Sequence, residues 1–466
     1  IKHLVESENP RIPSIRNIME RAGNAIIDLK PCFMMSPYSV AQFLRNSKFQ
    51  FDVIFIDEAS QLQPQLAIGA IARCNQAVIM GDPMQLPPTE FFERDVDLDE
   101  DEEIERVDEK SILDQALTRF RTRRELKWHY RSKDESLIAF SNKEFYENKL
   151  VIFPSPNLDK NISGINIEYI QATYKGRQNV EEAKLIVQRA VEYCKNNPEK
   201  SALIATMNLQ QKNLIEDLLN KEITNDQKFQ DYYAKWEEGL EPFVVKNLES
   251  VQGDERDSIF ISTLFGPQEV GLPVMQHFGP INSKAGHRRL NVLFTRAKER
   301  VHIVTSLKTN DIKADDDATI GKNSYGRKVL KNYLEFAHTG KLYGGEDTDR
   351  ESGSEFQEHI ANVLKQKGYE VKQEIGVAGY FIDIGIKHSS FPNGYLLGVE
   401  ADGAAYHSSK SARDRDRLRQ QVLEGLGWTL YRVWSTDWYN HQENETKKLV
   451  NFIEQQAELK KQQTTH

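Results

Sequence analysis

The sequence predicts an α/β chain built on parallel sheets and followed by a smaller α/β domain. Three observations point there. A chain of 466 residues exceeds what one hydrophobic core usually organises, so two or three domains are expected. Short continuous apolar runs, such as Phe51-Asp52-Val53-Ile54-Phe55-Ile56 and Ala77-Val78-Ile79-Met80, alternate with helical patterns, as in parallel strands covered on both faces. Near the C-terminus, Tyr380-Phe381-Ile382-Asp383-Ile384-Gly385-Ile386 alternates around an acid, and Leu396-Leu397-Gly398-Val399-Glu400 follows as a second apolar strand.

Composition narrows the class. At 39% hydrophobic and 28% charged residues the chain is an ordinary globular one, which excludes disordered and fibrous proteins. No apolar run approaches the roughly 18–20 residues that cross a bilayer, so no membrane partner is expected. Cys32, Cys74 and Cys194 are far apart and match no zinc or disulfide spacing, which points to a reducing cytosol. The net charge of −9 looks wrong for a nucleic-acid binder. It comes from one stretch: residues 93–109 hold eleven carboxylates and two arginines, so the other 449 residues sum to zero. That stretch reads as a solvated loop.

From about residue 123 the α/β pattern resumes. Asn179 is an N-cap candidate with Glu182 three residues on, and Val180, Ala183, Ile186, Val187, Ala190 and Val191 form a helical apolar stripe. Ala202–Ala205, Ser258–Ser262 and Val301–Val304 read as buried strands, and the Gly/Pro-rich segment 266–287 as a long surface loop. Residues 339–353 are polar and serve as a linker. Ser354-x-x-Gln357 then resembles a capping box, and Phe356, Ile360, Val363 and Leu364 line one helix face until Gly368 stops it. The expected domains are residues 1–122, 123–338 and, after the linker, 354–460.

Ile56-Asp57-Glu58-Ala59-Ser60 follows a buried strand. At such a strand end an Asp can hold Mg²⁺ through water, and an adjacent Glu can polarise an attacking water. Gly81 and the paired prolines of Met80-Gly81-Asp82-Pro83-Met84-Gln85-Leu86-Pro87-Pro88 set a tight loop after a second strand and place Gln85 where it can sense a phosphate. Further on come His129-Tyr130-Arg131-Ser132, Val251-Gln252-Gly253-Asp254-Glu255-Arg256-Asp257 and Asn291-Val292-Leu293-Phe294-Thr295-Arg296-Ala297-Lys298.

Five segments in this order resemble motifs II to VI of superfamily 1 helicases, closest to the Upf-like branch that includes the nonsense-mediated-decay helicase. The resemblance runs over roughly residues 30–307. It implies two RecA-like domains with ATP in the cleft between them. Asp57 would hold Mg²⁺, Glu58 would activate water and Gln85 would read the γ-phosphate. Arg131 and Arg296 would act as arginine fingers, and Gly253 and Glu255 would contact phosphate and ribose. In the same family the segment Lys30–Pro37 looks like a nucleic-acid backbone contact; for Thr206 and Gln211, nucleic-acid contact and simple packing both stay open. No G-x-x-x-x-G-K-[ST] phosphate loop occurs; the nearest string, Gly321-Lys322-Asn323, ends on the wrong residue. Because the chain starts at Ile1 and this loop precedes motif II in the family, the expectation is a C-terminal piece of a longer helicase. Its partners would then be nucleic acid and the missing N-terminal part. Alone it would bind ATP weakly and not turn it over.

If the two strands around Asp383 and Glu400 pair, those carboxylates converge on one metal, with Glu355 on the preceding helix able to complete an oxygen site for Mg²⁺. The continuation, GVEADGAAYHSSKSARDRDRLRQQVLEGLGWTLYRVW, resembles very-short-patch-repair (Vsr-like) endonucleases of the PD-(D/E)xK superfamily over about residues 351–440. That implies metal binding by Asp383 and Glu400, with Asp402 and His407 as assisting or acid/base groups. The superfamily's usual Lys, two residues after the second acid, is Asp402 here, so His407 or Lys410 would have to supply the positive charge. The expected function is an ATP-dependent helicase or translocase with a Mg²⁺-dependent DNA endonuclease, in repair or defence against foreign DNA. A nucleic-acid-binding scaffold with a degenerate nuclease and an RNA-directed motor remain as alternatives.

Overall fold

The computed structural model describes residues 14–44, 49–88, 110–159, 163–314, 324–342, 354–402 and 410–464, with the side chains of 410–416 and 463–464 left aside. The acidic stretch 93–109, Gly321-Lys322-Asn323, most of the 339–353 linker and His407 lie outside the described residues. The chain divides into two units, Ile1–Arg124 and Glu125–His466.

The first unit is a β-α-β crossover with flanking helices. Ser14 caps α1 (Ile15–Leu29) through its hydroxyl, and Ser36 caps α2 (Pro37–Phe43), whose proline suits the first helical turn. β1 (Phe51–Ile56), α3 (Pro64–Ile71) and β2 (Cys74–Ile79) follow, and the strands pair in parallel from Phe51↔Cys74 to Ile56↔Ile79. β2 begins earlier than its apolar run, through polar Asn75 and Gln76, because ladder pairing rather than hydrophobicity sets its start. α4 (Ile112–Arg119) opens with a capping box between Ser111 and Asp114. It closes a small core of Ile56, Ala59, Ala67, Ile112 and Leu113.

The second unit holds three sheets, of five, four and two strands. Its first part runs β3 (Trp128–His129), α5 (Ser136–Phe145), β4 (Val151–Ile152), β5 (Gly164–Tyr169), α6 (Val180–Asn196), β6 (Ala202–Thr206), α7 (Leu209–Asn225), α8 (Gln227–Glu237), β7 (Val244–Asn247), β8 (Arg256–Ser262), α9 (Gly286–Phe294), β9 (Ala297–Thr305) and α10 (Tyr325–Thr339). Five strands form an all-parallel RecA-like sheet in the order β5-β9-β8-β6-β7. The central strand β6 is buried along its whole length, and β8 and β9 are buried over their apolar C-terminal halves. The stripe on α6 buries Ala183, Ile186, Val187, Ala190 and Val191 against this sheet, worth about 1.5–3 kcal/mol for each large side chain.

The segment 266–287 departs from its expectation as a surface loop. Val274, Phe278 and Ile281 are buried, and Gln276 bonds the backbone of Val274, Asp311 and Lys313. Three spaced apolar residues anchor what its Gly and Pro content alone marks as solvent-facing.

The cap of α6 also differs from a simple capping box. Asn179 accepts from the Glu182 N–H as expected, but the Glu182 side chain turns into the protein and is fully buried. Its carboxyl accepts from Ser262 Oγ (2.8 Å), Leu264 N (2.6 Å), Asn179 Nδ2 (3.2 Å), Ser306 N (3.2 Å) and Ser306 Oγ (3.0 Å). One carboxyl therefore ties α6 to the residues that end β8 and follow β9. Gln211, equally buried, exchanges two hydrogen bonds with the Asn179 backbone.

The second part runs α11 (Glu355–Gln366), β10 (Glu370–Ile375), β11 (Ile382–Lys387), β12 (Leu397–Asp402), α12 (Lys410–Gly425), β13 (Leu430–Trp434) and α13 (Ser435–Thr464), the last interrupted at His441. Its mixed sheet has the order β10-β11-β12-β13: two antiparallel pairs, then a parallel one. Ser354 caps α11, Gly368 ends it in the left-handed region at φ 91°, and Phe356, Ile360 and Leu364 are buried as expected. The core of this sheet closes on Trp438, which is fully buried. Among the described residues no helix is long and apolar enough to cross a membrane, and the three cysteines are free.

Candidate functional site

In the first unit, Asp57, Glu58 and Gln85 stand at the C-terminal edge of the parallel strands, the usual ligand side of such a sheet. Asp57 follows β1 directly and accepts from the Glu58 N–H at 2.9 Å. Glu58 has φ 50°, a left-handed conformation that costs a non-glycine residue about 1–2 kcal/mol. Gly81 enters the loop after β2 so close to the Ala59 and Ser60 amides that a Cβ would lie 3.1 Å from each. Asp82 shapes that loop by accepting from Met84 N and Gln85 Nε2, at 2.8 and 3.1 Å. Asp57, Glu58 and Gln85 are thereby held on one edge.

In the second unit, Gly253 has φ 86°, and Glu255 forms a 2.9 Å ion pair with Arg131. Two residues separated by more than a hundred positions, each expected to act near phosphate, are thus partners. His129, two residues before Arg131, accepts at Nε2 from the Ser132 N–H. Burial, and then the Arg131 charge, push the imidazole down to about 4, so it is neutral near pH 7. Arg296 is buried, and its guanidinium donates to Val292 O (2.9 Å) and Thr295 Oγ1 (3.1 Å). Thr206 is fully buried at the end of β6.

In the mixed sheet, strand register builds a second site. The register pairing Ile384 with Val399 brings Asp383 across from Glu400. That pairing Ile375 with Ile382 and Gln373 with Ile384 brings Glu374 across from Asp383 on the other side. Glu400 pairs with Arg432 on β13. Glu374, Asp383, Glu400 and Arg432 therefore form one row across all four strands. Asp383 accepts from the Ala401 N–H at 2.7 Å. Burial nevertheless pushes its carboxyl up to about 7, reinforced by the fields of Glu400, Glu374 and Asp402.

Glu400 accepts from Tyr380 Oη and, at 3.1 Å, from Arg432 Nη2. Arg432 Nε also lies 3.0 Å from Asp402. Arg432 is thus the cation at the place where the expected Lys is Asp402. Glu355 stands exposed in the first turn of α11, and the strongest fields on Asp383 come from Glu400, Glu374 and Asp402 instead. Glu374 and Arg432 escape sequence reading. The one available signal is a charge inside an apolar strand, Leu430-Tyr431-Arg432-Val433-Trp434; Glu374 shows only in its backbone, at φ 50°.

Among the described residues no group of three or more His, Cys, Asp or Glu is gathered as a metal cage. Mg²⁺ does not need one: it keeps several waters and takes one or two carboxylates, completed by substrate phosphate oxygens. Asp383 and Glu400 on adjacent strands fit that requirement.

The fold combines a RecA-like parallel-sheet α/β part with a separate mixed-sheet domain, and each is similar to a known domain type. AAA domain models match residues 38–92 and 109–308, and a restriction-endonuclease model, REase_MTES_1575, matches residues 356–453. The chain is 28% identical over 456 residues to an uncharacterised ATP-dependent helicase, MG140, of Mycoplasma genitalium, covering 93% of this chain and 39% of that protein. It is 29% identical to the homologue in Mycoplasma pneumoniae, covering 96% and 41%. Helicase sen1 of Schizosaccharomyces pombe is 24% identical over 58% of this chain and 15% of its own. The chain thus spans about two fifths of the length of its two Mycoplasma relatives.

Proposed function

We propose that the chain belongs to an ATP-dependent nucleic-acid helicase or translocase carrying a Mg²⁺-dependent, Vsr-like DNA endonuclease of PD-(D/E)xK type. The row Glu374–Asp383–Glu400–Arg432 carries the nuclease reading. It combines carboxylates suited to a hard cation with a guanidinium suited to a phosphate. Asp383 and Glu400 are the proposed Mg²⁺ ligands. When bound, the ion supplies Lewis-acid activation of water and charge stabilisation on the scissile phosphate. Asp383 is oriented by the Ala401 amide and Glu400 by Tyr380 and Arg432. Asp402 assists by holding Arg432, and His407 is proposed as an acid/base group.

The ATPase reading rests on motif order and on similarity to proteins named as ATP-dependent helicases. Asp57, Glu58 and Gln85 are proposed for the Mg²⁺-nucleotide in the first unit. Gly253, Glu255, Arg131 and Arg296 are proposed for phosphate, ribose and developing charge from the second. A cytoplasmic role in DNA repair or in defence against foreign DNA fits a motor joined to a nuclease, by analogy of fold.

One observation favours a second reading, a nucleic-acid-binding module with a degenerate nuclease. Arg432 bridges Glu400 and Asp402, and carboxylates already held by a guanidinium call less strongly for a metal. A substrate panel separates the two. Incubating the chain with single- and double-stranded DNA and RNA, with Mg²⁺, Mn²⁺ or EDTA, is expected to give metal-dependent cleavage of DNA. Binding without cleavage under every condition would establish the degenerate module, and cleavage of RNA alone would redirect the substrate.

A further inference from the structure

One hydrophobic cluster joins the segment around Phe153 to the four-stranded sheet. Phe153, from the helicase-like part, packs with Ile375, Ile382, Tyr395, Leu423, Leu426 and Trp428 of the nuclease-like part. The segment Val151–Leu158 crosses between them as a strap. Ile152 N donates to Ala378 O (2.9 Å) and Leu158 N to Asn393 O (2.7 Å), while Pro156 O accepts from Tyr395 N (2.8 Å) and Pro154 O from Trp428 Nε1 (2.8 Å). The approach at Gly394 is so close that a Cβ there would lie 2.2 Å from Pro156 O.

The other side of the strap belongs to the motif that carries Arg131. β4 pairs in parallel with β3, Val151 N donates to Lys127 O (2.7 Å), and Ser155 N donates to Glu135 Oε2 (2.8 Å). Aromatic rings continue the path. Trp128 meets Phe153 edge-on at 5.5 Å between centroids, and Phe153 meets Tyr380 at 5.1 Å. Arg419 lies over the same Tyr380 ring at 5.6 Å, and the Tyr380 hydroxyl donates to Glu400.

We propose that Tyr380 is a positioning residue of the nuclease centre, and that Phe153 of the strap sets its ring, so the helicase-like half holds Glu400 in place. This rests on the nuclease reading of Glu400. The physical reason is packing: a ring fixed between Phe153 and Arg419 has one orientation in which its hydroxyl reaches Glu400, and the partners of a metal-ligating carboxylate set its geometry. In a close-packed core the ring cannot relax without moving the strap.

Two variants of the full chain test this, Tyr380→Phe, which keeps the ring and its packing, and Phe153→Leu, which keeps apolar volume. The readouts are Mn²⁺ affinity and the kcat and KM of DNA cleavage. Tyr380→Phe is expected to weaken Mn²⁺ binding and lower kcat about tenfold, within the range for partners of metal ligands, with KM for DNA unchanged. Phe153→Leu should act in the same direction, and the double variant should be no worse than the more affected single one. Wild-type cleavage matched by both variants would overturn the proposal, as would effects that multiply in the double variant. If Phe153→Leu does not fold, Tyr380→Phe alone decides through Mn²⁺ affinity. A wild-type chain that neither cleaves nor binds Mn²⁺ removes the nuclease reading itself, a result distinct from active but insensitive variants.

Discussion

On the proposed nuclease reading, Asp383→Asn is expected to lower DNA cleavage by about a thousandfold or more, the equivalent of several kcal/mol of transition-state stabilisation by a bound cation. The substitution keeps the shape of the side chain and an oxygen for the Ala401 amide, so what it removes is the charge. Asp383 lies in a row with Glu374 and Glu400 on the neighbouring strands, and Asp402 adds a further like charge. Without metal the asparagine variant should therefore be more stable than wild type at neutral pH, by about 1 kcal/mol, as when any like-charge contact is relieved. Glu400→Gln should show the same loss of cleavage. Its stability gain should be smaller, because it also takes a charge away from Arg432. A thermal melt in EDTA beside a cleavage time course measures both. Wild-type cleavage by Asp383→Asn would exclude the row as the chemical centre.

Glu182→Ala is expected to destabilise the second unit by about 3–5 kcal/mol, because it strands several buried donors at once, at about 1–3 kcal/mol for each group that cannot find a new partner. Among them are two backbone amides, Leu264 and Ser306, which sit at the ends of adjacent strands and cannot turn away. A pH series tests the same carboxyl in the opposite direction. Burial pushes Glu182 up to about 7 from an ordinary 4.5, against the pull of its hydrogen-bond donors. The native state thus binds this proton more tightly than the unfolded chain. The stability it confers is fully present below pH 4.5 and is lost as pH rises through 7, at up to about 1.4 kcal/mol per unit. Other carboxylates titrate as well, so the variant Glu182→Gln supplies the reference. In urea unfolding, the deficit of Glu182→Gln against wild type should be larger at pH 5.5 than at pH 8. A deficit independent of pH would show that Glu182 stays charged in the fold.

Legibility of the sites followed the range of the interactions that build them. Asp57, Glu58 and Gln85 are legible because each follows a short apolar strand within a few residues, so strand ends can be counted along the chain. Asp383 and Glu400 are charges inside two apolar strands, and one antiparallel pairing sets them across from each other. Arg432 was missed because its place beside Glu400 depends on a parallel pairing that skips α12, and no local period encodes that. Glu374 was missed because its strand looks like an exposed charged one, and only the register with β11 sets it against Asp383. The buried loop at Phe278 and Ile281 was misjudged from composition, since Gly and Pro report backbone freedom and not burial.

The sequence by itself determined the α/β class, the alternation of strands and helices, the ordered helicase-like strings and the paired acids of the last sheet. These are written in local periodicity and in short contiguous strings. Only the tertiary structure decided that Arg131 meets Glu255, that Glu182 is a buried tie and not a surface cap, and that Arg432 supplies the cation beside Glu400. It also decided that Phe153, far from the last sheet in sequence, packs into a cluster with Ile375, Ile382 and Trp428. Each of these depends on which distant segments desolvate one another, a property of the packed chain that no window of neighbouring residues contains.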